Sequence, residues 1–274
     1  MTKKTKENAK STVLNIMEIQ MGTIDFCVLG SSPLIMNRMA EKARQELLLP
    51  AARRNEAELQ QSLKHDPVFE FRSAMYRVQG DTVPTRAIFP GRAFAQALAA
   101  AALDIPGAAR AQIERLTKVE GINISIYGIP QLYMATVRQA GINKTPDIRT
   151  RPIFPAWAAN VRISYIRPTL TQRSVANLFA AAGIIIGIGD DRRQKGGDHG
   201  EFRLVSNTDK AFVALLKSGG RQAQDKAIAE PVCYDAESEE LLAWFETAAL
   251  RREKKITTVK NETIEHNRLA EILK

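Results

Sequence analysis

From Arg92 to Leu103 the chain reads Arg-Ala-Phe-Ala-Gln-Ala-Leu-Ala-Ala-Ala-Ala-Leu, and no other segment constrains the fold as tightly. Alanine gives up no side-chain entropy in a helix, so seven alanines here predict one. Phe94 and Leu98, four residues apart, share a face. A helix this slender packs closely against a sheet. Ile88-Phe-Pro-Gly91 leads into it and Asp104-Ile-Pro-Gly107 ends it.

The strands that such a helix needs are found on both sides. Ile24, Phe26, Val28 and Leu29 mark a strand at about 22–29, broken by Gly30-Ser-Ser-Pro33. Val119 to Tyr127 reads as a strand with Ile122, Ile124 and Ile126 on one face. Val161 to Arg167 alternates cleanly and Pro168 stops it. Thr171 caps a helix running to Ile186, with Val175, Leu178 and Phe179 as core positions. Phe202 to Val205 is the last core strand. The order predicts an α+β chain with a modified ferredoxin-like or RRM-like βαββαβ core.

The remaining length goes to additions. Residues 1–11 read as a disordered basic arm, 12–206 as the core, and 207–274 as a helical C-terminal extension with a charged tail. Insertions fall at about 45–80 and, thumb-like, at about 128–160. Helical stretches are expected at 40–49, 53–64, 108–116, 209–217 and 237–254. Phe69 to Val78 reads as a connecting segment with aromatic anchors, Tyr133 to Val137 as a short strand, and 140–152 as a Gly/Asn/Pro-rich loop. No internal repeat is present.

Charge says more about partners than about fold. There are 39 Lys and Arg against 30 Asp and Glu, a formal +9. That excess favours an anionic partner, nucleic acid or a membrane surface. No apolar run is long enough to span a bilayer; the longest, Leu178 to Ile188, is interrupted by Gly183 and Gly187. No basic amphipathic helix points to a membrane surface either. Cys27 and Cys233 have no metal spacing, and a reducing cytoplasm is the simplest home for them.

The excess is concentrated. Between Gln131 and Gly189 the only acidic residue is Asp147, while Arg138, Lys144, Arg149, Arg151, Arg162, Arg167 and Arg173 lie in the same stretch. Tyr133, Phe154, Trp157 and Tyr165 are interspersed among them. Arginines bind phosphates and aromatics stack on unpaired bases, so Arg149, Arg151 and Trp157 are candidate nucleic-acid contacts. The plainer alternative is a solvated surface with core aromatics.

A second candidate is the loop Gly187-Ile-Gly-Asp-Asp-Arg-Arg-Gln-Lys-Gly-Gly-Asp-His-Gly-Glu-Phe202. Gly187, Gly189, Gly196 and Gly197 would let backbone N–H groups approach an anion, with Arg192, Arg193 and Lys195 on phosphates. The loop follows a helix and enters a strand, so it is not a dinucleotide fingerprint. A charged surface hairpin would look the same. Arg38 and Lys42 in the first loop and Arg92 at the start of the alanine helix complete the candidates. Leu34, Ile35 and Met36 beside them read as core. No nucleophile with its base, metal site or cofactor motif is recognisable, and no enzyme activity is expected. His199 reads as an exposed loop histidine.

Two segments together resemble the RAMP superfamily of CRISPR-associated proteins. One is the proline-glycine turn opening a small-residue helix, Ile88-Phe-Pro-Gly-Arg-Ala-Phe-Ala-Gln-Ala-Leu98; the other is the loop 187–202 before a strand. The entry Gly30-Ser-Ser-Pro-Leu-Ile-Met-Asn-Arg38 is similar as well. The resemblance implies a Cascade-type backbone subunit that polymerises along a guide RNA beside other effector subunits. It places a thumb at about 130–160. Members that cut RNA use an aspartate in the loop after the first strand, and 30–40 contains none, so no nuclease activity is implied. Phage and mobile-element proteins share the pattern. A single-stranded DNA-binding or annealing protein, and a structural assembly protein, are the alternative expectations.

Overall fold

The structure is a computed structural model and describes residues 18–39, 65–138 and 146–252. The expected basic arm, the helical stretches at 40–49 and 53–64, Lys42 and the charged tail lie outside the described residues.

The expected strand at 22–29 is β1, Gln20–Gly30. Strand β2 is only Leu34–Ile35. Helix α1, Pro67–Ser73, occupies part of the segment read as a connector. Its start was written in the sequence: the Asp66 side chain accepts from Phe69 N at 3.0 Å, and Pro67 follows at the first turn, where a missing N–H costs nothing. Strand β3, Ile88–Pro90, leads into the alanine helix α2, Gly91–Ala101, and α3 follows at Arg110–Leu116.

The strand expected over 119–127 is instead two short ones, β4 at Thr117–Val119 and β5 at Asn123–Ser125. Gly121, at φ +91°, turns the chain between them, so they join different sheets. Ile124 and Ile126 are buried as expected, but Ile122 at the corner is 87% exposed.

The region read as a loop over 140–152 also differs. Strand β6, Gln131–Arg138, pairs with β7, Pro146–Phe154, in register from Gln131↔Ile153 to Arg138↔Pro146. Proline is a poor strand former, but paired neighbours and burial of every few side chains override that bias. Strand β8, Ala158–Arg167, starts three residues earlier than alternation suggested. Helix α4, Gln172–Ile185, is capped by Thr171, whose side chain accepts from Ser174 N. Strand β9 is Phe202–Val205, as read. Helices α5 (Lys210–Ser218), α6 (Arg221–Ala229) and α7 (residues 236–252) follow. No helix among the described residues is long and apolar enough to cross a membrane.

The principal sheet has the order β4-β8-β1-β9, every neighbour antiparallel. Helix α2 lies between β1 and β4 in the chain, and α4 between β8 and β9. One sheet face, with Phe26, Val28, Val161 and Ile163, meets Phe94, Leu98, Phe179 and Ala182 of the two helices. Phe94, Phe179 and Phe202 form a triangle of rings 5.2–6.4 Å apart. Burying each such ring or leucine contributes about 1.5–3 kcal/mol. The small residues let the layers close: Ala97, Ala99, Ala100 and Ala101 are buried, and a Cβ on Gly183 would strike the Phe202 carbonyl.

A second sheet, β2-β7-β6, stands beside the first. Helix α1 packs on β7 through Phe71, and residues 232–234 run along β6, where Leu132 N donates to Val232 O and Tyr234 N to Leu132 O. Helix α6 is tied in by Gln224, which is fully buried. Its Oε1 accepts from Arg86 N (2.7 Å) and Ala87 N (2.9 Å). Its Nε2 faces the carbonyls of Ile126, Gly128 and Gly219 at 2.8–3.0 Å.

Candidate nucleic-acid interface

The glycine loop is a built structure rather than a surface hairpin. Asp190 N donates to Ile35 O (3.0 Å), Ile188 N to Gly200 O (2.9 Å) and Gly200 N to Pro33 O (2.7 Å), which fastens the loop to the segment after β1. Gly187, Gly189, Gly196 and Gly200 all have positive φ. A Cβ on Gly200 would run into the Ile188 carbonyl, and one on Gly197 into that of Asp191. These glycines are therefore needed for chain path and close approach. Displaying donors to an anion is a lesser role than the sequence suggested. The N–H groups of Gly187, Gly196 and Gly197 donate to Ala182, Arg193 and Arg192 carbonyls. Gly189 N has no such bond among the described residues.

Beside this loop lies an open cleft of about 530 Å³. Its floor and walls come from three parts of the chain. The loop supplies Ile186–Asp190, Arg192, Gln194 and Lys195; α2 supplies Ala93, Gln96, Ala97 and Ala100; Asn37, Tyr76, Phe89 and Arg110 complete it. The small face of α2 leaves room for the cleft, because three of its wall residues are alanines.

Its charge is not neutralised from within. The Arg192 guanidinium folds onto its own loop, reaching Gly189 O at 3.2 Å and Gln194 Oε1 at 3.1–3.2 Å, with no carboxylate partner among the described residues. Lys195 also has none. Arg38 and Arg77 follow the lining residues Asn37 and Tyr76 in the chain and are likewise unpaired by acids among the described residues. Desolvation first, then the charges of Arg38 and Arg72, push the Arg77 guanidinium below its ordinary value. Arg110 is balanced by Glu114 at 2.9 Å. Asp190 is the one acid in the lining; Asn37 Nδ2 (3.0 Å) and Arg151 (2.7 Å) hold its Oδ2.

Other expected contacts are placed elsewhere. Trp157 is fully buried, ringed by Phe202 at 6.3 Å, with its Nε1 donating to Ser32 O at 2.9 Å. It is a core residue and has no face for a base, which corrects the sequence expectation. Arg149 pairs with buried Asp147 at 3.0 Å, and Arg193 with Glu201 at 2.7 Å, so both spend charge inside the protein. Arg92 is exposed at the start of α2, outside the cleft lining; the Gly91 N–H beside it is taken by Ile122 O. The structure thus gathers Arg192, Lys195, Gly187 and Gly189 in one place, with Arg38 close in sequence to the lining. Asn37, Tyr76, Gln96 and Arg110 were missed. Only Asn37 carried a usable signal, standing beside Arg38.

The outer face of the principal sheet is a second surface to test, since single-stranded RNA stacks on aromatics there in RRM domains. Here it carries cross-strand polar pairs: Asp25 with Arg162 (2.6 and 3.0 Å), Thr23 with Ser164 (3.5 Å) and Cys27 with Asn160 (3.7 Å). Ser164 also donates to Glu120 at 2.7 Å. The hydrogen bond from Arg162 holds the Asp25 carboxyl below its usual range, and that from Ser164 does the same for Glu120. Helix α5 covers the adjoining end, Phe212 packing on Leu29 and Ala158. None of the outward strand positions is aromatic, so this face offers no stacking platform.

His199 Nδ1 meets Asp191 Oδ2 at 2.9 Å, and its ring lies 6.5 Å from that of Tyr133. Asp191 holds a positive φ of 50°. The pair braces the bend of the loop.

No protein-family model matches the chain, and no curated protein matches it at a significant level.

Proposed function

We propose that the protein is a non-catalytic, single-stranded RNA-binding subunit, working in the cytoplasm as a repeated element of a CRISPR-type effector ribonucleoprotein. The cleft is the observation that carries this reading: a glycine loop fastened to the segment after β1 and facing α2 across the cleft, with Arg192 and Lys195 unneutralised by acids among the described residues. The strand order β4-β8-β1-β9, with α2 in the β1-to-β4 connection and α4 in the β8-to-β9 connection both packed on one face, supports a ferredoxin-like core as the scaffold. The β6–β7 hairpin then corresponds to the thumb-like insertion, available for contact with a neighbouring copy or another effector subunit.

The phosphates of the strand would run past Arg192 and Lys195, with Arg38, Arg77 and Arg92 drawing it in from outside. Each neutralised phosphate releases condensed counterions, so affinity should fall with salt at a logarithmic slope of about 0.7 per contact on a single strand. The test is the binding of labelled single-stranded RNA followed by anisotropy across a salt series. Affinity unchanged between low and moderate salt refutes the reading. Competition by DNA of the same sequence separates it from a single-stranded DNA-binding protein, because only RNA offers the 2′-hydroxyl.

A further inference from the structure

The cleft contains more than phosphate ligands. Tyr76 lines it, half-buried, and packs on Phe89 with ring centroids 5.6 Å apart and planes at 75°. Whichever ring presents its edge in that T-shaped contact, at least one face of Tyr76 is not covered by Phe89. The Tyr76 hydroxyl has no hydrogen bond to any described residue. Three neutral amides line the same cleft. Asn37 uses its Nδ2 on Asp190, leaving Oδ1; Gln194 uses its Oε1 on Arg192, leaving Nε2; Gln96 is exposed and unengaged among the described residues. A channel that only tracked the sugar-phosphate backbone would need cations and nothing else. Amides with spare donors and acceptors match the edges of bases.

We propose that this cleft is a nucleobase pocket: one unpaired base of the bound strand stacks on Tyr76, its edge meets Asn37, Gln96 and Gln194, and Arg192 and Lys195 hold the flanking phosphates. The cleft volume of about 530 Å³ falls in the range of roughly 300–1,000 Å³ typical of small-ligand pockets, enough for a nucleotide. Tyr76 is thus a specificity residue of the same site, and the inference rests on the RNA-binding reading.

The test compares two labelled strands of equal length and charge, one with bases and one fully abasic, on the full chain and on Tyr76→Leu and Tyr76→Phe. Leucine keeps apolar contact with Phe89 but has no ring face. The wild-type protein should prefer the strand with bases by on the order of ten- to a hundred-fold, the range for stacking one base. Tyr76→Phe should keep that preference. Tyr76→Leu should lose it while affinity for the abasic strand and the salt slope stay as they were. Equal weakening of both strands by Tyr76→Leu, or no change with either, overturns the proposal while the RNA-binding reading stands. Failure of the wild-type protein to bind either strand removes both. A second measurement needs no variant: RNA carrying 2-aminopurine should lose fluorescence on binding as the base stacks, and unquenched emission in the saturated complex overturns the pocket.

Discussion

Gln224→Leu tests whether one buried side chain fastens the C-terminal helices to the core. Leucine matches the volume but can neither accept nor donate. The Arg86 and Ala87 N–H groups lose their acceptor, and the carbonyls of Ile126 and Gly128 lose their donor. The Gly219 carbonyl keeps the Gly128 N–H at 2.9 Å and is not orphaned. Ala87 and Ile126 are fully buried, so water reaches these groups poorly. Each orphaned buried polar group costs about 1–3 kcal/mol. Four of them give a gross loss of at least about 4 kcal/mol, comparable with the whole margin of a marginal domain. In urea, with a slope near the upper end of about 1–3 kcal/mol per molar, the midpoint should fall by roughly 1.3 M or more. Equilibrium unfolding followed by far-ultraviolet circular dichroism measures it. A fall worth under about 1 kcal/mol at unchanged slope would mean that these groups find other partners, and the account of Gln224 as an anchor would be wrong. The effect should extend to binding, because Arg86 and Ala87 lead directly into β3 and the entry to α2.

The remaining expectations are smaller. Arg192→Gln with Lys195→Gln should lower the logarithmic salt slope for single-stranded RNA by about 1.4, two phosphate contacts at roughly 0.7 each; an unchanged slope places the phosphates elsewhere. Burial, reinforced by Asp25, raises the Cys27 thiol, and burial with Glu239 and Asp235 raises Cys233. Both should therefore alkylate more slowly than a free thiol at neutral pH and speed up as pH rises, which mass spectrometry after iodoacetamide pulses would follow. The Asp25 carboxyl is depressed by its hydrogen bond from Arg162, so its contribution to stability is present above the unfolded carboxylate value and lost as pH falls through the lower folded one. Asp25→Asn should remove that part of the acid dependence and leave stability at neutral pH little changed, as suits an exposed pair. Urea midpoints of the two proteins measured from pH 7 to about pH 3 compare them.

Much of the core was legible because its signals are local. The alanine run, the Thr171 cap and the alternation in 161–167 each specify an element without help from distant residues. Asp66-Pro67 was a local signal as well, and it marks α1 inside the segment read as a connector. The β7 strand was not legible, since Pro146 and Pro152 disfavour strands and pairing with β6 and β2, both signals outside the segment, forms it. The split between β4 and β5 was hidden for a related reason. Alternating isoleucines at 122, 124 and 126 satisfy the pattern of one strand, whereas Gly121 and the bond from Gly91 N to Ile122 O turn the chain at the first of them.

The site was half legible because charge counted along a chain differs from charge left on a surface. The stretch 131–189 holds a single acid, yet Arg149, Arg151 and Arg162 are met by Asp147, Asp190 and Asp25, two of which lie outside it in sequence. Pairing takes up three of the seven cations that pointed to this stretch as a groove, while Arg167 and Arg173, unpaired by acids among the described residues, are not in the cleft lining. What survives is set by geometry: Arg192 turned back on carbonyls and a glutamine, Lys195 unpaired among the described residues, and Arg38 and Arg77 beside two lining residues. Trp157 fails for the complementary reason. An aromatic flanked by arginines in sequence looks like a stacking platform, but Ala158 and Ala159 behind it begin a buried strand and draw its ring into the core with Phe202. The aromatic that does line the cleft, Tyr76, stands far from the arginine-rich stretch, and only the packing of β3 against the start of α2 brings it to the glycine loop. If that is the working surface, neutralising Arg149 and Arg162 should leave RNA affinity nearly intact while neutralising Arg192 and Lys195 weakens it, a contrast that anisotropy on the two double variants would resolve.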